Sequence, residues 1–454
     1  MSQREFDFDF LVVGGGSGGV RAARMAAQAG ARVAIVEATK LGGTCVNVGC
    51  IPKKLYSYAA TYAEHFEEAA GFGWTLAAKP QFDWETLKRN RNDEILRLNE
   101  VYRNLLSNAG VEIMNGWASF VDAHTVDVSG QRISARNILI ATGGRPTIPD
   151  IPGKDLGITS DEMFDLPAFP RRLLVVGGGY IGCEFASIFN ALGAHVLQVH
   201  RHPRLISAFD TDLSDFLEKE MRKTGVEIEL GRTVERLTRR GDAILATLDN
   251  GQTFEAGVVL FATGRAPAVR GLGLETIGMR ADDRGAVSVD DNYGSSVPSI
   301  HAVGDVSSRQ HLTPIALAEA MVVVGHLFGD GQRRMDYANV PTAIFTHPNV
   351  GTVGLSEAQA RAKFDEIDIY RSEFRALKHT LSGSPARTMM KLVVDRATDK
   401  VLGVHMVGEE AGEIIQGFAV ALRAGATKRL FDTTIGIHPT AAEEFVNMRQ
   451  PVAD

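Results

Sequence analysis

The sequence predicts an α/β fold in which one structural plan occurs twice and a C-terminal α+β module follows. The plan is a short apolar strand, a Gly-rich turn and an apolar helix. It begins at Phe10 and returns 163 residues later at Leu173. Glycine usage supports this interpretation, since 47 of 454 residues is about one in ten, against a usual share of roughly 7%. Such an excess indicates many tight turns or close backbone approaches.

Composition and charge argue against several classes of protein. The 48 Lys and Arg and the 55 Asp and Glu give a formal charge of −7, which offers no electrostatic case for nucleic acid or an anionic membrane as the main partner. No apolar run is long enough to predict a membrane-spanning helix. Residues 1–13 lack the basic-then-apolar layout of a secretory signal, and three Cys are few for a disulfide-stapled secreted protein. These features predict a cytosolic protein.

The first copy of the plan carries a nucleotide-binding motif. After the strand Phe10–Val13, a G-x-G-x-x-G pattern at Gly14, Gly16 and Gly19 opens a helix, whose free N–H groups can hold a pyrophosphate. A second strand ends in Glu37, which is placed to accept a hydrogen bond from a ribose hydroxyl. A strand–helix turn without a ligand is the alternative, but the complete pattern favours a Rossmann-like dinucleotide-binding domain.

The second copy repeats the loop but differs at the ribose position. Where the first copy has Glu37, this copy has His200, followed by Arg201 and Arg204. Cations in place of a carboxylate favour a 2′-phosphate and therefore NADP over NAD, with solvated surface cations as the alternative. The glycines of this second Rossmann-like loop are Gly177, Gly179 and Gly182.

Three further regions complete the predicted organisation. Residues 52–71 and 84–108 have apolar residues at helical spacing. Pro-rich segments at 146–152 and 266–267 mark crossovers between the units. Beyond Tyr337 the pattern changes to strands and a helix without a nucleotide motif, which predicts an α+β module.

A pair of cysteines is the strongest candidate for chemistry. Cys45 and Cys50 are separated by four residues in a Gly-rich segment. Half of a zinc site is a poor interpretation, because zinc needs about four ligands and Cys183 is the only other thiol. Two buried structural thiols are a further alternative. A reversible disulfide fits best, since a mixed disulfide needs a nearby thiol to resolve it. Cys183, inside the second helix, is predicted to be a core residue.

Two further positions suggest chemistry only in combination with these motifs. Asp305 follows Gly304 at the end of an apolar strand, where a carboxylate can accept a polyol hydroxyl. His438 has Glu443 five residues on, which is typical of a base oriented by an acid. A surface or packing histidine is the alternative.

Taken together, these residues resemble the pyridine nucleotide–disulfide oxidoreductase family over nearly the whole chain. The most specific pieces are Gly42–Lys54 with its two Cys, the two Gly-rich loops, Gly304-Asp305, and His438-Pro439 with Glu443. The resemblance implies FAD and NADPH as cofactors and a homodimer. It also implies an FAD-binding domain at 1–142, an NADPH-binding domain at 143–265, a central FAD-binding part at 266–336 and a dimerisation domain at 337–454.

The resemblance further implies the residues of each site. For FAD they are Gly14, Gly16, Ser17, Gly18, Gly19, Glu37, Gly43, Thr44, Lys53, Ala118, Thr142, Gly143, Asp305, Leu312 and Thr313. For NADP they are Gly177, Gly179, Tyr180, Ile181, Glu184, Arg201, Arg204, Gly264 and Arg265. For a disulfide substrate they are Ser17, Arg21, Arg24, Tyr102 and Glu444. No metal site is implied.

The chemistry implied by the resemblance rests on the two thiols. Cys50 would lie near the flavin, and Cys45 would attack the substrate disulfide. His438, oriented by Glu443 and contributed by the other subunit, would move the proton of the leaving thiol.

Two contacts beside the flavin are implied as well. Lys53 would pair with Glu184, and Tyr180 would cover the flavin ring as a gate that moves when NADPH arrives.

Within the family, the chain most resembles the branch that reduces glutathione disulfide with NADPH. The cations Arg21 and Arg24 favour such an anionic disulfide. The alternatives are another low-molecular-weight disulfide such as an amidated glutathione, a dihydrolipoamide-dehydrogenase-like activity, and a flavin-bound scaffold that has lost the chemistry. Two positions depart from the pattern. Met321 stands in place of a glutathione-site Arg, and Ser207 stands in place of a second 2′-phosphate Arg, which leaves that role to Arg204.

Overall fold

The computed structural model describes residues 5–78, 80–307 and 310–453. Residues 1–4 and 454, at the outer limits of the first and last predicted domains, lie outside the described residues. The chain separates into two compact units. Unit 1 consists of residues 1–53, 86–147 and 264–336, and unit 2 consists of residues 54–85, 148–263 and 337–454. The four-part division expected from the sequence stays a prediction.

The predicted strand–turn–helix plan is present at the N-terminus. Phe10, Leu11 and Val12 of β1 have no exposed surface, because a parallel strand is covered on both faces. The two regions with helical spacing form α3 and α4, as predicted. The elements of this part are β1 (Phe8–Val13), α1 (Ser17–Gln28), β2 (Val33–Glu37), α2 (Gly43–Asn47), α3 (Cys50–Glu68), α4 (Trp84–Ser107), β3 (Glu112–Asn115), β4 (Ala118–Phe120), β5 (Thr125–Val128), β6 (Gln131–Ile140) and β7 (Gly144–Pro146).

The plan recurs in the middle of the chain. Cys183, within the helix that follows the second Gly-rich loop, has no exposed surface, which confirms the prediction of a core residue. The elements of this part are β8 (Ile158–Thr159), β9 (Arg172–Val176), α5 (Tyr180–Ala191), β10 (His195–His200), α6 (Thr211–Lys223), β11 (Glu227–Leu230), β12 (Val234–Arg240), β13 (Ala243–Leu248), β14 (Thr253–Ala256) and β15 (Val258–Phe261).

The last part of the chain first returns to unit 1 and then forms the predicted α+β module. In unit 1 it contributes β16 (Arg265–Pro267), β17 (Ile300–Ala302) and α7 (Thr313–Phe328). The C-terminal module consists of β18 (Thr342–Ile344), β19 (Val350–Gly354), α8 (Glu357–Arg361), β20 (Ile367–Phe374), α9 (Leu377–Ser382), β21 (Thr388–Asp395), β22 (Val401–Val407), α10 (Ala411–Arg423), α11 (Lys428–Thr433) and α12 (Glu444–Asn447).

The main sheet of unit 1 has a switch in strand order at its centre. Its parallel part has the order β3-β2-β1-β6-β17. The connections run away from β1 on both sides, and such a switch leaves a crevice at the carboxyl ends of the strands. α1 and α7 pack together on one face, with Val20, Ala23 and Val323 in the core between helices and sheet. The crevice therefore opens at the N-terminal ends of these helices.

The described residues of unit 2 form three sheets. The parallel sheet has the order β11-β10-β9-β15-β8, a small antiparallel sheet has the order β12-β13-β14, and the sheet of the C-terminal module has the order β18-β19-β22-β21-β20. α10 covers one face of the last sheet, where Ile415 and Ala419 share a core with Val404 and Met406. In the described ranges, none of the helices combines the length and apolar character that a bilayer crossing requires.

A buried cluster of charges joins the parallel sheet's helix α6 to the C-terminal module. The Nζ of Lys391 on β21, which is 1% exposed, lies 2.9 Å from Asp210 Oδ1, 2.7 Å from Asp212 Oδ2 and 2.8 Å from Glu357 Oε2. Asp210 is the N-cap of α6 and accepts the backbone N–H of Asp212 at 3.0 Å. The start of α6 is thus fixed by a lysine that lies 181 residues further along the chain.

Candidate active site

The first Gly-rich loop leaves space for a ligand at its middle glycine. A Cβ at Gly14, whose φ is +112°, would collide with the Ala141 carbonyl oxygen, and a Cβ at Gly19 would collide with that of Gly14. Packing within the protein therefore requires these two glycines. Among the described atoms beyond the neighbouring residues, a Cβ at Gly16 would meet the Gly43 Cα alone, at 3.9 Å. It would fill the space in front of the α1 N-terminus, so the loop fits the diphosphate of a dinucleotide such as FAD.

The second loop repeats these three roles. A Cβ at Gly177 (φ +130°) would collide with the Ala262 carbonyl oxygen, and a Cβ at Gly182 would collide with that of Gly177. No described atom lies within 4 Å of a Cβ built at Gly179. Since the protein's packing does not require this middle glycine, the space before α5 also fits a diphosphate, here that of NADPH.

The residues that end the second strand differ between the two units, as the sequence indicates. Glu37 Oε2 accepts the Gly15 N–H at 2.7 Å, and its Oε1 accepts the Thr39 N–H at 2.7 Å, which fixes the carboxylate beside the loop. His200 packs its ring against Gly178 instead. Burial, with smaller effects of His202 and Arg201, lowers the pKa of His200 to about 4, so the ring is neutral at pH 7.

The other residues predicted to bind FAD all belong to unit 1. Gly43, at the start of α2, approaches the first loop so closely that a Cβ would lie 2.7 Å from Gly16 Cα. Thr142 Oγ1 donates to the Ala268 carbonyl at 2.8 Å, and Asp305 Cβ would lie 3.3 Å from a Cβ at Gly144. Leu312 and Thr313 form the N-terminus of α7. The remaining positions are Ser17 and Gly18 in the first turn of α1, Thr44 in α2, Lys53 in α3, Ala118 at the start of β4, and Gly143 after β6.

The two predicted thiols lie next to each other, with a hydrogen bond between their side chains. Cys45 lies within α2, and Cys50 is the first residue of the long helix α3. Hydrogen bonding to Cys50 raises the pKa of Cys45 most, and burial and the charge of Cys50 add to this effect. Cys50 Sγ also lies 3.9 Å from Thr313 Oγ1, so the pair reaches the N-terminus of α7.

Tyr102, one of the residues predicted to bind the substrate, lies near the thiol pair. The pKa of Tyr102 is raised, first by burial and then by the charge of Cys45, while the charge of Arg21 opposes the rise. The phenol is therefore in electrostatic range of Cys45 and Arg21. Arg24 lies one helical turn after Arg21 on α1, with its Nη2 3.9 Å from Met25 Sδ. The fifth predicted residue, Glu444, begins α12 in unit 2.

Three polar residues that support this site were not predicted from the sequence. Asn47 Nδ2 donates to the Leu41 carbonyl at 3.1 Å, and Asn99 Nδ2 donates to the same oxygen at 2.9 Å and to Asn47 Oδ1 at 2.9 Å. Glu319, which has no exposed surface, accepts the Gly304 N–H at 2.7 Å. A carboxylate in the apolar helix α7 was a usable signal for Glu319. Asn99 gave none, because its partners lie more than 50 residues away.

In unit 2, three of the residues predicted to bind NADP lie in the first two turns of α5. Tyr180 begins the helix and is 39% exposed, Ile181 follows it, and Glu184 lies one turn further on and is buried. Glu184 Oε1 accepts the backbone N–H of Phe345 at 2.8 Å, which orients the carboxylate. The Lys53–Glu184 pair joins residues of different units and stays a prediction.

The other residues predicted to bind NADP lie at two places. Arg201 and Arg204 are exposed in the segment between β10 and α6, with Arg201 Nε 3.2 Å from His202 Nε2. Gly264 and Arg265 lie at the start of the last segment of unit 1, where Arg265 Nη2 donates to the Gly144 carbonyl at 2.6 Å.

The predicted base and acid are in contact. His438 Nδ1 lies 3.1 Å from Glu443 Oε1 and 3.2 Å from Oε2, so the carboxylate orients the imidazole. The His438 side chain is 81% exposed, and the Glu443 side chain is 21% exposed. An imidazole held in this way can serve a reacting group outside its own chain.

Two family models together match most of the chain. Residues 8–320 match the family described as pyridine nucleotide-disulphide oxidoreductase, and residues 340–449 match its dimerisation domain. The chain belongs to the pyridine nucleotide-disulphide oxidoreductase family. This membership confirms the predicted family and fold class, including a C-terminal domain of the dimerisation type.

Three curated relatives are similar to this chain over nearly all of its length. A glutathione reductase of Burkholderia cepacia is 48% identical over 98% of this chain and 99% of that protein. A chloroplastic/mitochondrial glutathione reductase of Pisum sativum is 46% identical over 99% of this chain and 83% of that protein. A glutathione reductase of Nostoc sp. is 44% identical over 98% of this chain and all of that protein.

Proposed function

We propose that this chain is a homodimeric, FAD-containing reductase that uses NADPH to convert glutathione disulfide to two glutathione molecules and so maintains the thiol pool. The observation that carries the proposal is the adjacent Cys45 and Cys50 thiols, which lie at the crevice of a dinucleotide-binding unit with Tyr102 and Arg21 nearby. Relatives at 44–48% identity over nearly the whole chain bear the name glutathione reductase.

The two thiols divide the work between them. The Cys45 thiolate attacks one sulfur of the substrate disulfide, forms a mixed disulfide and releases the first thiol. The Cys50 thiolate then attacks Cys45 Sγ, which re-forms the Cys45–Cys50 disulfide and releases the second thiol. Two electrons pass from the dithiol to the substrate, and each leaving sulfur takes up one proton. Cys50 suits the role of resolving thiolate because the N-terminus of α3 stabilises negative charge there.

A base is needed to start this sequence, since the pKa of Cys45 is raised within its own chain. We assign this role to His438 of the partner subunit, whose ring is held by its carboxylate partner. The imidazole accepts the thiol proton and returns it to the leaving thiol. The high exposure of the His438 side chain in a single chain supports this assignment.

The cofactor sites follow from the two loops. FAD, when bound, supplies a two-electron carrier between the hydride of NADPH and the Cys45–Cys50 disulfide. The first loop, Glu37 and Asp305 would hold the diphosphate and ribose at unit 1, and the second loop would hold NADPH at unit 2. Lys53, Glu184 and Tyr180 would border the flavin. In the four-part division of the chain, FAD binding, NADPH binding and dimerisation would then belong to different parts.

We propose a cytoplasmic location, which the small number of cysteines supports.

A second candidate substrate is favoured by one position. Met321, a half-buried residue of α7, replaces an Arg expected at the glutathione site, which reduces the positive charge available to an anionic disulfide. An amidated or otherwise less anionic glutathione disulfide would suit this change. A dihydrolipoamide-dehydrogenase-like activity is disfavoured by Tyr180 and by Arg201, because a cation at the ribose position favours NADP over NAD.

Turnover measurements with purified enzyme decide between these substrates. With NADPH as donor, we expect glutathione disulfide to be reduced faster than its amidated form, lipoamide or other low-molecular-weight disulfides. Cys45→Ser should abolish turnover while FAD remains bound. Slow reduction of glutathione disulfide beside a fast alternative would reject the proposed substrate, and turnover by Cys45→Ser would reject the thiol mechanism.

A further inference from the structure

The segment after β10 is held at both ends by one residue of the second Gly-rich loop, Gly178. At its start, the His200 ring packs against Gly178. At its end, the Ile206 N–H donates to the Gly178 carbonyl oxygen at 2.7 Å. Residues 201–205 therefore form a short excursion that leaves and rejoins the dinucleotide loop. Its two arginines cannot move far from the ribose end of the proposed NADPH site.

The turn that closes this excursion is defined by the fold. Ile206 has φ +39° and is 2% exposed. A β-branched residue in this left-handed region is strained, and such strain persists only where the surrounding structure imposes it. The backbone turn that follows Arg204 is therefore defined by the protein itself.

Arg204 in this excursion is already paired with a carboxylate. Its Nε lies 2.8 Å from Asp215 Oδ1 on α6, and the two side chains are 48% and 53% exposed. A contact through Nε orients the planar guanidinium and leaves its two terminal amino groups able to donate to another anion. The carboxylate also places a negative charge beside a cation that the proposed site needs for a phosphate.

We infer that Asp215 sets how tightly the enzyme holds NADPH, because it orients the Arg204 guanidinium and offsets part of its charge. The 2′-phosphate then binds more weakly than it would to two unopposed arginines, which favours release of NADP after each cycle. This inference rests on the proposed function, since it takes NADPH as the cofactor. Asp215 acts through Arg204 and is a specificity-determining residue without a contact to the cofactor.

The charge and the orientation can be separated by one substitution. In Asp215→Asn the amide oxygen still accepts from Arg204 Nε, while the negative charge is removed. An exposed pair of this kind interacts only weakly and is screened by salt. The effect of removing the charge should therefore be small but measurable, and it should depend on ionic strength.

Calorimetric titration of the FAD-loaded enzyme with 2′,5′-ADP tests the inference. We expect Asp215→Asn to lower the Kd about three- to fivefold at low salt, as expected for loss of one exposed charge, with the gain shrinking towards about 0.5 M salt. Binding of 5′-AMP, which lacks the 2′-phosphate, should not change. The KM for NADPH should fall by a similar factor, and the KM for NADH should stay constant.

Glu218→Gln is the matched control. Glu218 lies on the same helix and its loss changes the net charge equally, but its Oε1 is paired with Arg222 Nε at 2.9 Å. We expect this variant to bind 2′,5′-ADP like the wild type. In an Arg204→Gln background, Asp215→Asn should give no further gain.

Three results would overturn the inference: weaker 2′,5′-ADP binding by Asp215→Asn, equal changes in both single variants, or the same gain without Arg204. A different failure is also possible. If the wild-type enzyme binds 2′,5′-ADP no better than 5′-AMP, NADPH is rejected as the cofactor, and with it both the proposed function and this inference.

Discussion

His301 on β17 makes stability depend on pH at the scale of a single residue. The side chain is 3% exposed, and burial, followed by the charge of His326, lowers its pKa to about 4. An unfolded chain binds a proton at this position below pH about 6.5, whereas the folded chain does so only below about 4. The neutral His301 ring therefore contributes its full stabilisation above pH 6.5. The free energy of unfolding falls by roughly 3 kcal/mol as the pH drops from 6.5 to 4.

Denaturation of His301→Gln at several pH values checks this expectation. The free energy of unfolding should fall less steeply between pH 6.5 and 4 than in the wild type. The control His195→Gln removes a partly exposed ring that is paired with Glu227, away from this core. A wild-type slope in His301→Gln would show that another group is responsible for the acid sensitivity.

The Gly-rich loops allow a prediction at the scale of one element, because two glycines of the same turn are required for different reasons. Gly179→Ala adds a Cβ that no described atom would contact, but it fills the space before the α5 N-terminus. We expect the KM for NADPH to rise at least about tenfold, while the melting temperature stays close to that of the wild type. The measurement is steady-state kinetics together with thermal unfolding of the FAD-loaded enzyme.

Gly182→Ala provides the contrasting variant. Its Cβ would collide with the Gly177 carbonyl oxygen, so the helix and strand must separate. We expect a melting temperature several degrees lower, together with weaker NADPH binding. If Gly179→Ala also unfolds at lower temperature, the middle glycine is required by packing and the proposed ligand space does not exist.

The Gly-rich loops and the thiol pair could be predicted from the sequence because each depends on residues that are close together in the chain. The spacing of Gly14, Gly16 and Gly19 after an apolar strand fixed both the turn and the helix that follows it, and the same pattern identified the second unit. The proximity of Cys45 and Cys50 followed from their separation by four residues. Contacts between distant residues gave no such signal: Lys391 reaches Asp210 across 181 residues, and His347 lies 3.3 Å from Ser57 across 290. They depend on how complete sheets and helices pack.

The whole molecule is expected to act as a dimer with two shared sites. Cys45→Ser and His438→Ala homodimers should each be inactive, because every site lacks one of its two groups. Refolding the two chains together in equal amounts should restore about a quarter of the wild-type activity, since half of the dimers are mixed and each has one intact site. Activity that stays at the level of the separate variants would place both groups of a site on one chain.

The control for this experiment mixes Cys45→Ser with Cys50→Ser. Both substitutions fall on the same side of the shared site, so no dimer of these chains contains an intact thiol pair. Recovery of activity in this mixture would mean that the gain arises from something other than complementation.

The buried Lys391 also determines which parts of this protein can exist alone. Its ammonium group is a counter-ion of Asp210, Asp212 and Glu357. Asp210 and Asp212 belong to the middle part of the chain, whereas the lysine belongs to the C-terminal module. A chain shortened to end before β18 would keep Asp210 without its cation, and the start of α6 with it. The nucleotide-binding half of unit 2 is therefore not a portable module, and a recombination point between it and the C-terminal module would have to preserve this one charge pairing.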